Sequence, residues 1–207
     1  MALTNFEGLN PMHFDVLTEI GNIGSGNAAA ALSDMTQQHI KIRVPEVSVL
    51  KFNEVMQFFG SAEKVAAGLL VNLTQDMDGM ILYLFGDDFV NETLKAFFGE
   101  STSDLLMLDD MQKSALLEIG NIMAASYVNA LSQMTSFFID ISVPSLAVDM
   151  AGALLSVPII EFANISESVL LINDSFIINN KEVDSHMILL PTVESLNKLF
   201  TNLGVEI

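Results

Sequence analysis

"FDVLTEIGNIGSGNAAAALSDM" occupies residues 14–35, and "QKSALLEIGNIMAASYVNALSQM" occupies residues 112–134. Both contain Glu-Ile-Gly-Asn-Ile, beginning at Glu19 and again at Glu118, an offset of 99 positions. An internal repeat decides the architecture before any single element does, so the same shift is followed along the chain. Asp15, Glu19 and Asn22 fall on Ser114, Glu118 and Asn121. "IKIRVP" at 40–45 falls on "IDISVP" at 139–144. Further on, "MILYLF" (80–85) resembles "MILLP" (187–191) and "LKAFFG" (94–99) resembles "LFTNLG" (199–204), at a larger offset, as a loop insertion produces. The small and polar run "GESTSD" (99–104) separates the copies.

One domain spanning 1–207 is therefore expected, with a first repeat at 10–100 and a second at 108–207. Each copy reads as a long helix, a β-branched strand ending at Val-Pro, a short helix, a two-stranded hairpin and a closing helix. The hairpins are expected to turn at "DMDG" (76–79) and "NNKE" (179–182), where Asp, Asn and Gly supply turn geometry. The fold class is α+β, a two-layer, pseudo-twofold unit with a mainly antiparallel shared sheet and two long surface helices carrying the repeated motif.

At about 100° per residue, Leu17, Ile20, Gly24, Ala28, Ala31 and Met35 point one way along the first helix. Asp15, Glu19, Asn22, Gly26 and Ser33 point the opposite way. In the second helix Leu116, Ile119, Met123, Tyr127, Ala130 and Met134 oppose Ser114, Glu118, Asn121, Ala125 and Ser132. Glu and Asn are thus expected side by side on the solvent face. An exposed helix face is normally rich in Lys, Glu and Arg. Here Gly26, Ala29 and Ser33, or Ala125 and Ser132, follow the motif, leaving a low ridge that a macromolecule can approach. One such pair reads as an ordinary solvated face, whereas two in the same register read as a working surface.

The composition closes off several classes. A formal charge of −18, with eight Lys and Arg in all, repels nucleic-acid backbones and anionic lipids. The absence of Cys removes disulfides, thiolate chemistry and Cys-type zinc sites. The N-terminus has no signal-peptide pattern, and the apolar stretch 139–160 is broken by Pro144, Asp149 and Pro158, so neither export nor membrane insertion is expected. A cytoplasmic location follows as an expectation.

Glu-x-x-His pairs build di-iron sites, but His13, His39 and His186 all lie outside the motifs. "GNIGSG" has a glycine spacing reminiscent of nucleotide loops, yet it lies within a helix and not after a strand. Its glycines serve close helix packing or the approach of a partner. Phosphoryl transfer requires cations around the phosphate, and only Lys113 lies near either motif. That objection falls if the partner supplies them, because the chain then need only add a water-orienting amide.

Asp15-x3-Glu19-x2-Asn22 and Ser114-x3-Glu118-x2-Asn121 match a (D/S)-x3-E-x2-N signature, and the chain resembles the CheC/CheX/FliY family of chemotaxis phosphatases over essentially its whole length. The resemblance implies hydrolysis of the aspartyl phosphate of the response regulator CheY, with Mg²⁺ and a Lys held by CheY and no cofactor of the chain's own. Asn22 or Asn121 would orient the attacking water, Glu19 or Glu118 would pair with the partner's Lys, and Asp15 and Ser114 would shape the helix surface. It also implies binding of the receptor deamidase CheD through a helix after the second Val-Pro, "LAVDMAGALLSVPIIEF" (146–162), with Asp149 at the contact and Pro158 ending or kinking that helix. The alternative is an adaptor that binds phosphorylated CheY and regulates CheD without turnover. Ala125 in place of Gly26 adds a methyl to one contact face, which points to unequal sites.

Overall fold

The computed structural model describes residue 3 and residues 5–99, 104–162 and 168–205; residues 56 and 57 are described by backbone alone. The separator at 99–104 lies mostly outside the described residues.

Each long helix begins where the sequence supplies a reciprocal cap. Ahead of α1 (Pro11–Thr36), Asn10 Oδ1 accepts from the His13 N–H at 3.2 Å and His13 Nδ1 accepts from the Asn10 N–H at 2.9 Å. Ahead of α4 (Asp110–Thr135), Asp109 and Gln112 exchange the same two bonds at 2.8 and 3.0 Å. Two orphan N–H groups are satisfied in each case. Both helices end on a left-handed residue, Gln37 (φ 54°) and Ser136 (φ 59°), so the repeat holds to the last turn.

After α1 come β1 (Lys41–Ile42), β2 (Glu46–Lys51), α2 (Phe52–Phe58), β3 (Val65–Gln75), β4 (Gly79–Phe85) and α3 (Asp87–Phe98). After α4 come β5 (Ile139–Ile141), β6 (Ser145–Met150), α5 (Ala151–Phe162), β7 (Ser168–Ile178), β8 (Lys181–Pro191) and α6 (Val193–Asn202). The hairpins turn where expected, the second through Asn179 and Asn180, both at positive φ as a two-residue hairpin requires.

Val-Pro does not end a strand. Pro45 and Pro144 each interrupt one, and the chain resumes as β2 or β6 on the same partner. Each lies in the gap between two short outer strands, where proline's missing donor is tolerated. Residues 146–150 are consequently strand rather than the start of a helix. Asp149 lies opposite Ala66 of β3, and α5 begins only at Ala151. Half-buried Leu146 and Val148 alternate with exposed Ser145, Ala147 and Asp149, a period of two that belongs to a sheet. Pro158 sits inside α5, which runs one further turn to Phe162.

The strands join in one antiparallel sheet in the order β1–β7–β8–β4–β3–β5, with β2 also on β7 and β6 also on β3. The halves exchange strands. The first half's β1 and β2 pair with the second half's β7, while β5 and β6 pair with β3. The pseudo-twofold axis runs between the two central strands, β4 and β8. The ladders also correct one internal likeness. Val49 opposite Leu170 corresponds to Val148 opposite Ala67, and with that match Met80 corresponds to Asp184, not Met187. Met80 and Met187 in fact face opposite sides of the sheet.

Ile81, Tyr83 and Phe85 of β4 face α1, α3, α4 and α6, where Phe85, Phe89 and Phe176 form a run of ring contacts. Met80, Leu82 and Leu84 face a smaller cluster under α2 and α5, so the second face of the sheet is covered too. Within the larger core lies one polar cluster. Ser25 Oγ on α1 donates to Asp174 Oδ1 on β7 at 2.5 Å, beside Tyr83, Tyr127 and a cavity of about 10 Å³. Asp174 is 3% exposed, and burial pushes its carboxyl up to about 7 although the Ser25 bond pulls the other way. Among the described residues, no cationic side chain borders that cavity.

The folded state therefore favours the protonated carboxyl. Its contribution to stability is complete at acid pH and is lost as pH rises through about 7. Asp174→Asn should raise the melting temperature relative to the parent at pH 8 and change it least below the ordinary carboxyl value of 3.8. An equal shift under both conditions, read by calorimetry, would remove the buried carboxyl as the cause.

Candidate functional site

The five residues of Glu-Ile-Gly-Asn-Ile divide their tasks by direction. Ile20 and Ile119 are fully buried. Gly21 lies on Pro45 and Ile172, where a Cβ would come within 3.2 Å of Pro45 Cγ. Gly120 lies on Leu69, where a Cβ would fall 2.2 Å from Cδ1. Leu69 and Ile172 are counterparts in β3 and β7, so both glycines seat their helix on the sheet in the same way. Glu19 and Glu118 are exposed, and Asn22 and Asn121 are partly exposed. The expected outward pairing of Glu and Asn therefore holds on both helices.

None of these four side chains has a hydrogen bond or ion pair among the described residues. Asp15 and Ser114 are exposed at the head of each ridge, and Ser114 Oγ donates back to the Asp110 carbonyl at 2.7 Å. The hydroxyl is thus satisfied within its own helix. The two ridges belong to neighbouring helices, since α1 and α4 pack directly on each other. Gly24 marks the close approach: a Cβ there would stand 2.9 Å from Tyr127 Cα. Gly26, by contrast, faces open space, with nothing within 4 Å of an added Cβ. The glycine-rich turn so serves helix packing at Gly24 and leaves room at Gly26, and Ala125 fills the corresponding room on α4.

The low ridge is shorter than the sequence suggests. Ala29 is buried at 5% exposure, and its counterpart Val128 likewise. Ser33 explains the closure on α1: its Oγ donates to the Ala29 carbonyl at 2.7 Å and accepts from the Ile40 N–H at 3.0 Å, tying the return segment to the last turns. Met35, expected on the core side, is 44% exposed near the helix end.

Asp149 stands apart from both ridges on exposed strand β6, its Oδ1 accepting from the Met150 N–H at 2.7 Å. Among the described residues no three His, Asp or Glu side chains converge on a possible metal position, and no helix is long and apolar enough to cross a membrane. His13 serves as a capping side chain and packs on Phe200. The pattern of polar residues passes over two exposed methionines, Met12 (59%) and Met111 (68%), that begin the same two ridges. Their equal spacing from Glu19 and Glu118 is the signal that finds them.

The model of the CheC-like family matches this chain twice, at residues 12–49 and 111–148, which are the two helix-and-strand segments just described. A Bacillus subtilis protein named CheY-P phosphatase CheC is 32% identical over 206 residues, covering 98% of this chain and 99% of that one. The flagellar motor switch phosphatase FliY of the same organism is 29% identical over 67% of this chain and 36% of its own. Among solved structures, Thermotoga maritima FliY superposes with a TM-score of 0.76 at 23% identity, covering 95% of this chain and 98% of that one. At that identity the likeness shows the fold.

The geometry separates surface from scaffold. Alanine at Glu19, Asn22, Glu118 or Asn121 should leave unfolding free energy within about 0.5 kcal/mol of the parent, since no contact is lost. Gly24→Val should cost about 2 kcal/mol or more, because its new carbons meet backbone at the helix crossing. Denaturant titration of the five variants reads both outcomes, and a large loss at any of the four polar positions would mean that the ridge is structural.

Proposed function

The chain belongs to the CheC-like family, and from that premise we propose that it hydrolyses the aspartyl phosphate of phosphorylated CheY, using Glu19–Asn22 and Glu118–Asn121 as two sites. The observation that carries this reading is the duplicated pair itself: an outward carboxylate and an outward amide one turn apart, unpartnered, on a ridge cleared by Gly26 or Ala125.

In this reading the chain inserts the amide beside a phosphoryl group that the partner already holds. Asn22 or Asn121 accepts from and donates to a water and fixes it in line with the phosphorus. The water oxygen forms the new P–O bond as the bond to the aspartyl oxygen breaks. Inorganic phosphate leaves, the water's proton is given up to phosphate or solvent, and the carboxylate is restored. Glu19 or Glu118 receives the partner's Lys and sets the depth of insertion. Mg²⁺ would be held by the partner's carboxylates, where it would neutralise phosphate charge. Fixing the nucleophile is worth several orders of magnitude in rate without any covalent chemistry.

An adaptor that binds the phosphorylated regulator without turnover would use the same ridge but would have no use for an amide at the centre. The double variant Asn22→Ala/Asn121→Ala should therefore lose the acceleration of phosphate release from phosphorylated CheY while keeping its fold. Release within a few-fold of the parent would refute the water-orienting role and leave the adaptor.

A second surface is proposed for CheD at the β6–α5 junction, where Asp149 is exposed and α5 presents Val157 (45% exposed) and Ile160 (75%). This surface lies on neither motif helix. Asp149→Lys should weaken CheD binding and spare phosphate release, because charge reversal at an interface edge acts on association. Unchanged CheD affinity in a variant with a parental melting curve would place that surface elsewhere.

A further inference from the structure

Met12 is the second residue of α1 and Met111 the second residue of α4. Each stands seven positions before the motif Glu and ten before the motif Asn. Seven residues are close to two whole turns, so Met12 projects within about 20° of Glu19, and Met111 within about 20° of Glu118. The rise places each methionine about 15 Å from its Asn along the helix axis. Most long apolar side chains of α1 and α4 turn inward, yet these two are 59% and 68% exposed at identical places in both repeats.

The halves then diverge. The single-turn helix before α4, four to five residues ahead of Met111 in the chain, presents Leu106 (59% exposed) and Met107 (76%). The equivalent turn before α1 carries Glu7 and Gly8 at the corresponding positions. Phe6 and Leu105, which anchor these turns, are both buried at 1% exposure, so each turn is pinned by one apolar residue while its exposed residues differ. The second motif thus has an apolar apron of three side chains, and the first has one methionine.

Charge makes such an apron necessary. A chain of net −18 approaching a phosphorylated carboxylate site is repelled by it, and Lys113 is the one cation within a turn of either motif. Beyond the one Glu–Lys pair that the phosphatase reading gives each motif, apolar contact is the attraction left to hold the complex together. Methionine suits that task, because its flexible thioether adapts to an irregular apolar surface. From the continuity of this stripe with the Glu-Asn ridge we infer that Met12 and Met111 are docking residues for the phosphorylated receiver domain, and that Leu106 and Met107 make the second motif the tighter-binding site. The inference rests on the phosphatase reading for the identity of its partner.

Each site is read alone in the full chain carrying Asn22→Ala or Asn121→Ala, with phosphorylated CheY as substrate. With only the second site active, Met111→Ala should raise KM about five- to tenfold while kcat stays within about twofold, the pattern of lost uniform binding. Leu106→Ser/Met107→Ser should raise KM further at this site and leave the first site unchanged. With only the first site active, Met12→Ala should raise a KM that is already the larger of the two. A KM unmoved by Met111→Ala and by Leu106→Ser/Met107→Ser overturns the inference while leaving the phosphatase reading standing.

Should the parent release no phosphate, the phosphatase reading fails by itself. Docking is then read directly as affinity for CheY activated with beryllofluoride. Binding lost in the methionine variants supports the inference; binding equal to the parent, or none by the parent, overturns it. Sedimentation of the same variants distinguishes the other occupant: a dimer that Met111→Ala converts to monomer would make the stripe a contact between copies of this chain and overturn the proposal.

Discussion

Each half of this chain finishes the other's sheet. β3 and β4 of the first half are flanked by β5, β6 and β8 of the second, and β7 receives β1 and β2 in return. The exchange follows from a simple constraint: a lone two-stranded hairpin is marginal in water, and each hairpin here gains strands on its outer side only from the opposite repeat. The same exchange places α1 and α4 side by side. Each helix leads directly into the strands that cross to the opposite half, so the helices are drawn together over the central strands. The Gly24–Tyr127 approach then sets how close they can lie.

From that arrangement the two ridges follow with little further specification. A helix seated on a sheet through Ile and Gly has its Glu and Asn directed away, and the seat is the same on both helices because Ile172 and Leu69 correspond. The functional reading asks only that these side chains be unpartnered, near one another and approachable. A catalyst that borrows its metal, its cation and its phosphate from the partner has no need of a cleft, and a convex helix face can serve. This distinguishes the ridge from the cavity lined by Lys64, Asp87, Asp184 and His186, which touches neither motif.

Much of this was legible in the sequence because the repeat supplies its own internal check. The two long helices, the hairpin turns and the outward Glu and Asn all follow from local chemistry at a fixed shift. Legibility failed where tertiary context decides. Val-Pro looks like a stop, but its placement at a sheet edge lets the strand continue, and Asp149 consequently moves from a helix to β6. Ala29 shares the angular position of Asn22 but is covered by a return segment held at Ser33, which no helical projection contains. "MILYLF" and "MILLP" share letters while facing opposite sides of the sheet, since a shift by an odd number of residues exchanges the faces of a strand. Exchange of strands between repeats left no trace in hydrophobic period at all.

The halves have also diverged beneath the surface, and on one side only. Ser25, Asp174, Tyr83 and Tyr127 meet at the helix crossing, whereas the corresponding positions hold Ala124, Val71, Met187 and Ala28. A buried carboxyl with no cation beside it contributes nothing by charge, and Tyr127 Oη has no hydrogen-bond partner among the described residues. What the cluster adds is direction. The Ser25–Asp174 bond fixes the rotation of α1 about its own axis relative to β7, while the apolar counterparts constrain only distance. Ser25 lies three residues beyond Asn22, so a bond that sets the rotation of that turn also sets the direction in which the amide leaves the helix. The first ridge is thereby held by a directional bond where the second is held by packing, and the second carries the apolar apron that the first lacks. One duplicated scaffold has in this way distributed orientation and adhesion unequally between two otherwise matching sites.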